Sequence, residues 1–355
     1  MSFDEVMFKA NPNFKFKEVI RENTEALGNQ SQFDVYKNKK GEVILICANF
    51  VSDEAYKKDH HICLINLSTN KEIKTIPYCE RIMSIKYFQD PSTKKDYFVI
   101  SDFNANIVIY DLDEDCKKIF DIETQYESFI YKNLIVFDQG KKYLITSSLS
   151  ENCCTMIYDI DTQDSKALTS TTDLVTFNLD YWYNEKGEEN EKHNIIHCAK
   201  GKLVVVTYPA DNVYLEEEID DEPYLQSGAL FKKGEVAYYI FACTFGTVKV
   251  VNLETKDIVF NISHEEGKVH FLGITWWNEH YILINDCQQK QVVIMNIDNE
   301  DNFKIHGKAL RTEDYFNKKI KKVDHPKYGE SILTIGVDWK LRLYINRDIA
   351  GKEVE

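Results

Sequence analysis

Proline is scarce in this chain, with 6 residues in 355. Nearly every backbone N–H is therefore free to join a ladder, and long sheets are permitted almost everywhere. No apolar run approaches the roughly 20 residues that a bilayer-crossing helix needs. The opening Met1-Ser2-Phe3-Asp4-Glu5 has neither the basic start nor the apolar stretch of a secretory signal. The expected location is cytosol-like, cytoplasmic or nuclear, with no membrane insertion. Basic residues are in deficit, 43 against 58 acidic, for a net charge of −15. Such a field repels phosphate backbones and anionic lipid and favours basic partners, so nucleic acid is not expected as a ligand.

Motifs that carry chemistry are missing as well. The sequence holds no Gly-x-x-x-x-Gly-Lys phosphate loop, nucleophile elbow or kinase signature. No Cys-x-x-Cys pair accompanies its densest ligand clusters, His60-His61 with Cys63 and His193 with His197. Residues four apart on a strand are about 13 Å apart, too far to share a zinc ion. The acidic runs lack the alternating loop with a central glycine that calcium would use. The nine cysteines fall at irregular distances, most inside apolar runs such as Leu45-Ile46-Cys47. That is the usage of reduced, buried thiols rather than of a disulfide framework. Adjacent Cys153 and Cys154 would bridge only with strain. These readings predict no cofactor, no metal and no catalytic set.

What the chain does contain is β-forming residues and a repeat. Aromatics reach 13%, with 21 Tyr and 20 Phe, which suits pleated surfaces. One phrase recurs: an apolar strand, then Asn or Asp, then Leu or Ile. It reads Ile62-Cys63-Leu64-Ile65-Asn66-Leu67, Ile107-Val108-Ile109-Tyr110-Asp111-Leu112 and Thr155-Met156-Ile157-Tyr158-Asp159-Ile160. It returns as Val248-Lys249-Val250-Val251-Asn252-Leu253 and Val292-Val293-Ile294-Met295-Asn296-Ile297. Leu203 to Tyr208 and Leu341 to Ile345 keep the strand without the acid or amide. Taken at Asn66, Asp111, Asp159, Tyr208, Asn252, Asn296 and Ile345, the spacing is 44 to 49 residues. That is close to the roughly 40–45 residues of a four-stranded propeller blade. A second apolar strand precedes each phrase across a short polar turn, a hairpin pattern. A further strand precedes the pair, as in Ile82 to Tyr87, and another follows it, as in Asp257 to Ile262. The fold expected is all-β, a seven-bladed propeller of four-stranded antiparallel blades in one domain over 1–355.

Tyr110-Asp111, Tyr158-Asp159 and the Asn variants resemble the strand-ending Trp-Asp pair of WD-repeat proteins. Ser263-His264 resembles that family's Gly-His corner, and Thr334-Ile335-Gly336-Val337-Asp338 resembles its turn with a strand hydroxyl and an Asp. The departures are large: no Gly-His pair occurs, and no unit keeps the family's full polar network. The resemblance implies a closed ring. The seventh unit ends too soon for its outer strand, while the alternating segment 13–20 has no other home. That segment is expected to complete the last blade.

By the same resemblance the chain is read as a scaffold or adaptor subunit of a hetero-complex that binds other proteins, including ones with basic segments. The alternative is a hydrolase or lactonase-like propeller with a channel site. Two irregular stretches break the pattern: a charged loop over 184–193 and the acidic run Glu216-Glu217-Glu218-Ile219-Asp220-Asp221-Glu222. The acidic run is a candidate docking patch. Trp339, beside the turn residue Asp338, is the leading interface candidate, followed by Trp277 and Trp182. Adjacent Trp276 and Trp277 must face opposite sides of a strand, so one is core and the other is free to be an anchor.

Overall fold

The computed structural model describes residues 16–21, 29–50, 60–69, 71–124, 126, 130–138, 140–148, 154–219, 225–243, 246–263, 271–298, 303–311, 317–336 and 341–346. Their strands form seven four-stranded sheets, each built in chain order except the last. The chain divides into two compact units, Gln30–Ile219 and Asp220–Glu355 together with Met1–Asn29.

The first unit holds four sheets. Sheet one comprises Asn29–Lys37, Val43–Phe50, His60–Asn66 and Lys71–Tyr78, and sheet two Ile82–Gln89, Asp96–Asp102, Asn106–Asp111 and Lys117–Glu123. Sheet three comprises Ile130–Asp138, Lys141–Ser148, Thr155–Asp159 and Ser165–Leu168. Sheet four comprises Thr176–Tyr183, His193–Ala199, Lys202–Tyr208 and Val213–Glu218. Neighbouring sheets share cores. Ile44, Ile46 and Leu64 pack with Phe98, Ile100 and Val108, while Ile145 and Ile157 pack with Ile195 and Val206. Second and third strands, covered on both faces, are nearly continuous apolar runs; Asp96–Asp102 is buried throughout. Fourth strands such as Lys117–Glu123 are mostly exposed. Each fully buried Ile or Phe contributes roughly 1.5–3 kcal/mol.

The second unit holds the other three sheets. Sheet five comprises Leu225–Lys233, Val236–Cys243, Val248–Asn252 and Ile258–Ile262, and sheet six Phe271–Asn278, Tyr281–Asp286, Gln291–Asn296 and Lys304–Arg311. Sheet seven comprises Asn317–His325, Gly329–Gly336 and Leu341–Asn346, and its fourth strand is Phe16–Arg21. That strand pairs antiparallel with Leu341–Asn346, from Phe16 opposite Asn346 to Arg21 opposite Arg342. The pairing gives the edge of Leu341–Asn346 a partner strand from the beginning of the sequence. Residues 13–15 of the alternating segment lie outside the described residues.

Two local devices explain the repeat. The recurring Asn or Asp caps the turn that follows its strand, because its side-chain oxygen accepts backbone N–H bonds two and three residues on. Asp111 Oδ1 accepts from Asp113 (2.9 Å) and Glu114 (3.1 Å), Asp159 Oδ1 from Asp161 and Thr162, and Asn252 Oδ1 from Glu254 and Thr255. Sheet four, which lost the acid at Tyr208, closes its turn differently: Thr207 Oγ1 accepts from Asn212 N at 3.2 Å.

The second device is a bulge near the start of the first strand. Register shifts fall between Ile82 and Ser84, Ile130 and Lys132, Thr176 and Asn178, Leu225 and Ser227, Phe271 and Gly273, and Asn317 and Lys319. A bulge in the same place sets the facing of every side chain after it. Six residues beyond each bulge start lie Phe88, Val136, Trp182, Phe231, Trp277 and Val323, and all six are buried.

Candidate interaction surface

That shared register decides the tryptophans. Trp182 and Trp277 occupy equivalent core positions and are each 2% exposed, so neither presents its ring to a partner. Trp182 packs edge-on against Tyr214, with ring centroids 5.6 Å apart. Both expected anchors are thus corrected: the bulge turns them inward with Phe88 and Phe231. Trp276, one residue earlier, faces the other way and is 49% exposed. At that position the other sheets carry Tyr87, Ile135, Tyr181, Leu230 and Lys322, all half-buried.

Trp276 stands on sheet six beside Lys322 of sheet seven. The Lys322 ammonium lies 5.7 Å from the Trp276 ring centroid and 4.9 Å from that of Trp277. It donates to the Trp277 carbonyl at 2.6 Å and is paired with Glu330. Lys322 N also donates to Thr275 Oγ1 at 3.4 Å, and Ile274 N to Ser227 Oγ at 2.9 Å. The strand carrying Trp276 is thus tied to its neighbours on both sides. An exposed indole on a strand fixed in this way is a low-entropy contact, the kind enriched among interface anchors.

The acidic run begins on the fourth strand of sheet four. Leu215 is buried, Glu216 and Glu218 are exposed, and Glu217 is half-buried. Glu216 pairs with Lys202 at 2.7 Å, and Glu218 lies on the same face of the strand. Asp220, Asp221 and Glu222 lie outside the described residues, as do Asp338 and Trp339. The charged loop over 184–193 falls where expected, between the first two strands of sheet four, and is ordered. Asn184 N donates to Lys192 O at 2.7 Å, and Asn194 Nδ2 to Glu191 O at 2.7 Å.

Among the described residues, no group of three or more His, Cys, Asp or Glu is placed to hold a metal ion. Burial favours the protonated form of two thiols: Cys287 is pushed up to about 12 and Cys116 to about 11.

No protein-family model matches the chain, and no curated protein does. Solved structures do match. The β-propeller domain of Cps50 (Swd1) from Myceliophteria thermophila superposes with a TM-score of 0.67 over 93% of this chain and 99% of that one. The fold is a β-propeller. At 11% identity the two chains share architecture rather than side chains, so the likeness carries nothing about ligands. The propeller's function must be read from its own surface.

Proposed function

We propose that this chain is a divergent WD-repeat propeller that serves as a non-catalytic, protein-binding subunit of a larger hetero-complex. The observation that carries the reading is Trp276, half exposed on a strand whose neighbours hold it rigid. Truncating a tryptophan anchor typically costs 2 kcal/mol or more of binding, about thirtyfold in affinity. The acidic strip from Glu216 supports a second contact with a basic segment, in keeping with the net charge of −15. The buried, protonated thiols support a reducing, cytosol-like location.

The test is affinity capture from native lysate with tagged wild type and Trp276→Ser, after melting curves establish that both are folded. Proteins recovered with wild type should fall at least tenfold with Trp276→Ser, roughly as expected for a lost anchor. Equal recovery of every partner would sink Trp276 as the contact.

A further inference from the structure

A second site lies where sheets three and four meet, at the end of the sheets bearing the ordered 184–193 loop. Asp138 ends the first strand of sheet three. Its side chain is 27% exposed, and no hydrogen bond reaches its carboxylate among the described residues. Its nearest charge partner is His193, whose Nε2 is 3.7 Å away. The other ring nitrogen, Nδ1, is bonded to Tyr181 Oη at 2.7 Å, so Tyr181 fixes the imidazole in place. Tyr183 meets the same imidazole edge-on at 5.2 Å and is 43% exposed. Tyr143 and Tyr208, half-buried and edge-to-face at 6.0 Å, complete the surround.

We propose that Asp138 and these tyrosines form a receptor for the ammonium of a lysine in a basic segment of a partner protein. A half-buried carboxylate with no hydrogen bond from the described residues is open to a cation, and tyrosine faces attract one. Tyr143, Tyr181 and Tyr208 all have their phenols held above the usual range, first by burial and then by nearby acids including Asp138. The Tyr208 ring already faces a cation of the chain itself, the Lys166 ammonium at 5.9 Å, which also donates to Pro209 O, so Tyr183 is the ring left to an incoming ammonium. Lys141 sits opposite Asp138 in the hairpin but makes no ion pair with it among the described residues. A compact ammonium needs one carboxylate oxygen and a ring face, whereas a guanidinium asks for a planar fork. Exposed Glu188 on the adjoining loop adds a second carboxylate near the site. That favours a run of cations over a free amine.

The experiment is a titration of a fluorescein-labelled lysine octamer, by anisotropy at physiological ionic strength, against the full chain. Asp138→Asn should weaken binding by about tenfold and Tyr183→Ser by about threefold, as loss of a partly buried charge and of one ring contact. The charge-matched control Glu123→Gln, at an exposed carboxylate of sheet two, and the variant Trp276→Ser should stay within about twofold, because a single distant charge or ring adds little. If Asp138→Asn and Tyr183→Ser both bind as wild type, or if Asp138→Asn and Glu123→Gln weaken binding equally, the site is overturned and the octamer is held by net charge alone. Tyr183, being exposed, keeps the test decisive if Asp138→Asn does not fold. The lysine octamer is indifferent to Trp276, so failure here and failure of the Trp276 contact are separately visible.

Discussion

Acid should destabilise this protein well before its carboxylates titrate, through one residue. His197 lies on the second strand of sheet four and is fully buried. Its Nδ1 is 3.3 Å from Thr176 Oγ1, and its Nε2 has no hydrogen-bond partner. Burial alone lowers its value from 6.5 to about 3, because the charged form has no compensating contact. A depressed histidine favours folding above its unfolded value and loses that contribution as pH falls below it. Between pH 8 and pH 5 the unfolded chain takes up a proton that the folded chain refuses, at 1.36 kcal/mol per unit of pH once below 6.5. The loss is about 2 kcal/mol by pH 5. Depressed carboxylates act lower: Asp90, held at about 2 by bonds from Ser92 and Thr93, stays ionised in both states until pH falls toward 4. Urea unfolding followed by circular dichroism, on wild type and His197→Leu at pH 8, 6.5 and 5, separates the two. At pH 8 the variant should lie within about 1 kcal/mol of wild type, since it gives up one long hydrogen bond and one unpaired polar atom. At pH 5 it should be the more stable, by up to about 2 kcal/mol. Identical pH profiles would refute the reasoning, because they would mean that His197 reaches solvent or a partner when protonated.

Two further predictions concern packing. A Cβ added at Gly228 would meet the Tyr239 hydroxyl at 2.2 Å and its ring carbons at 2.5 and 2.6 Å. Tyr239 is fully buried and a ring cannot bend aside, so Gly228→Ala should cost about 1–3 kcal/mol by overpacking, read as a lower urea midpoint. Asp211 gathers four bonds from the turn after sheet three, from Thr169 N and Oγ1 and from Ser170 N and Oγ, and these hold its carboxyl below the usual range. Asp211→Ala should destabilise by roughly 2 kcal/mol and speed amide exchange at Thr169 and Ser170; unchanged exchange at both amides would show that the bonds do not persist in solution.

The architecture was legible because its cause is local. The Asn or Asp of the recurring phrase caps its own turn, as Asp111 and Asp159 do, so five of the seven copies keep a residue that spacing alone reveals. The apolar second and third strands follow from burial on both faces, and the segment 13–20 was legible as an alternating stretch with no home in its own neighbourhood, of which residues 16–20 fall in the strand Phe16–Arg21. The surface was less legible. Alternation puts Trp276 and Trp277 on opposite faces but does not say which faces solvent. The bulge between Phe271 and Gly273 settles that, and it shows in sequence only when the six first strands are aligned with one another. Trp182 would have been assigned to the core by the same alignment with Phe88 and Phe231. Asp138, His193 and the tyrosines around them come from separate strands of two sheets, and no spacing joins them. His193 had been noted only beside His197, yet the strand carries the two to different surroundings: one at a surface cluster, the other fully buried.

The most direct test of the account is hydrogen exchange on the segment Phe16–Arg21. If this strand is laddered to Leu341–Asn346, its amides should exchange slowly, and replacing Ile345 by proline should release them along with those of Leu341–Asn346. Exchange of residues 16–21 at the rate of an unstructured peptide in the intact protein would contradict the seventh sheet, and with it the framework beside which Trp276 stands.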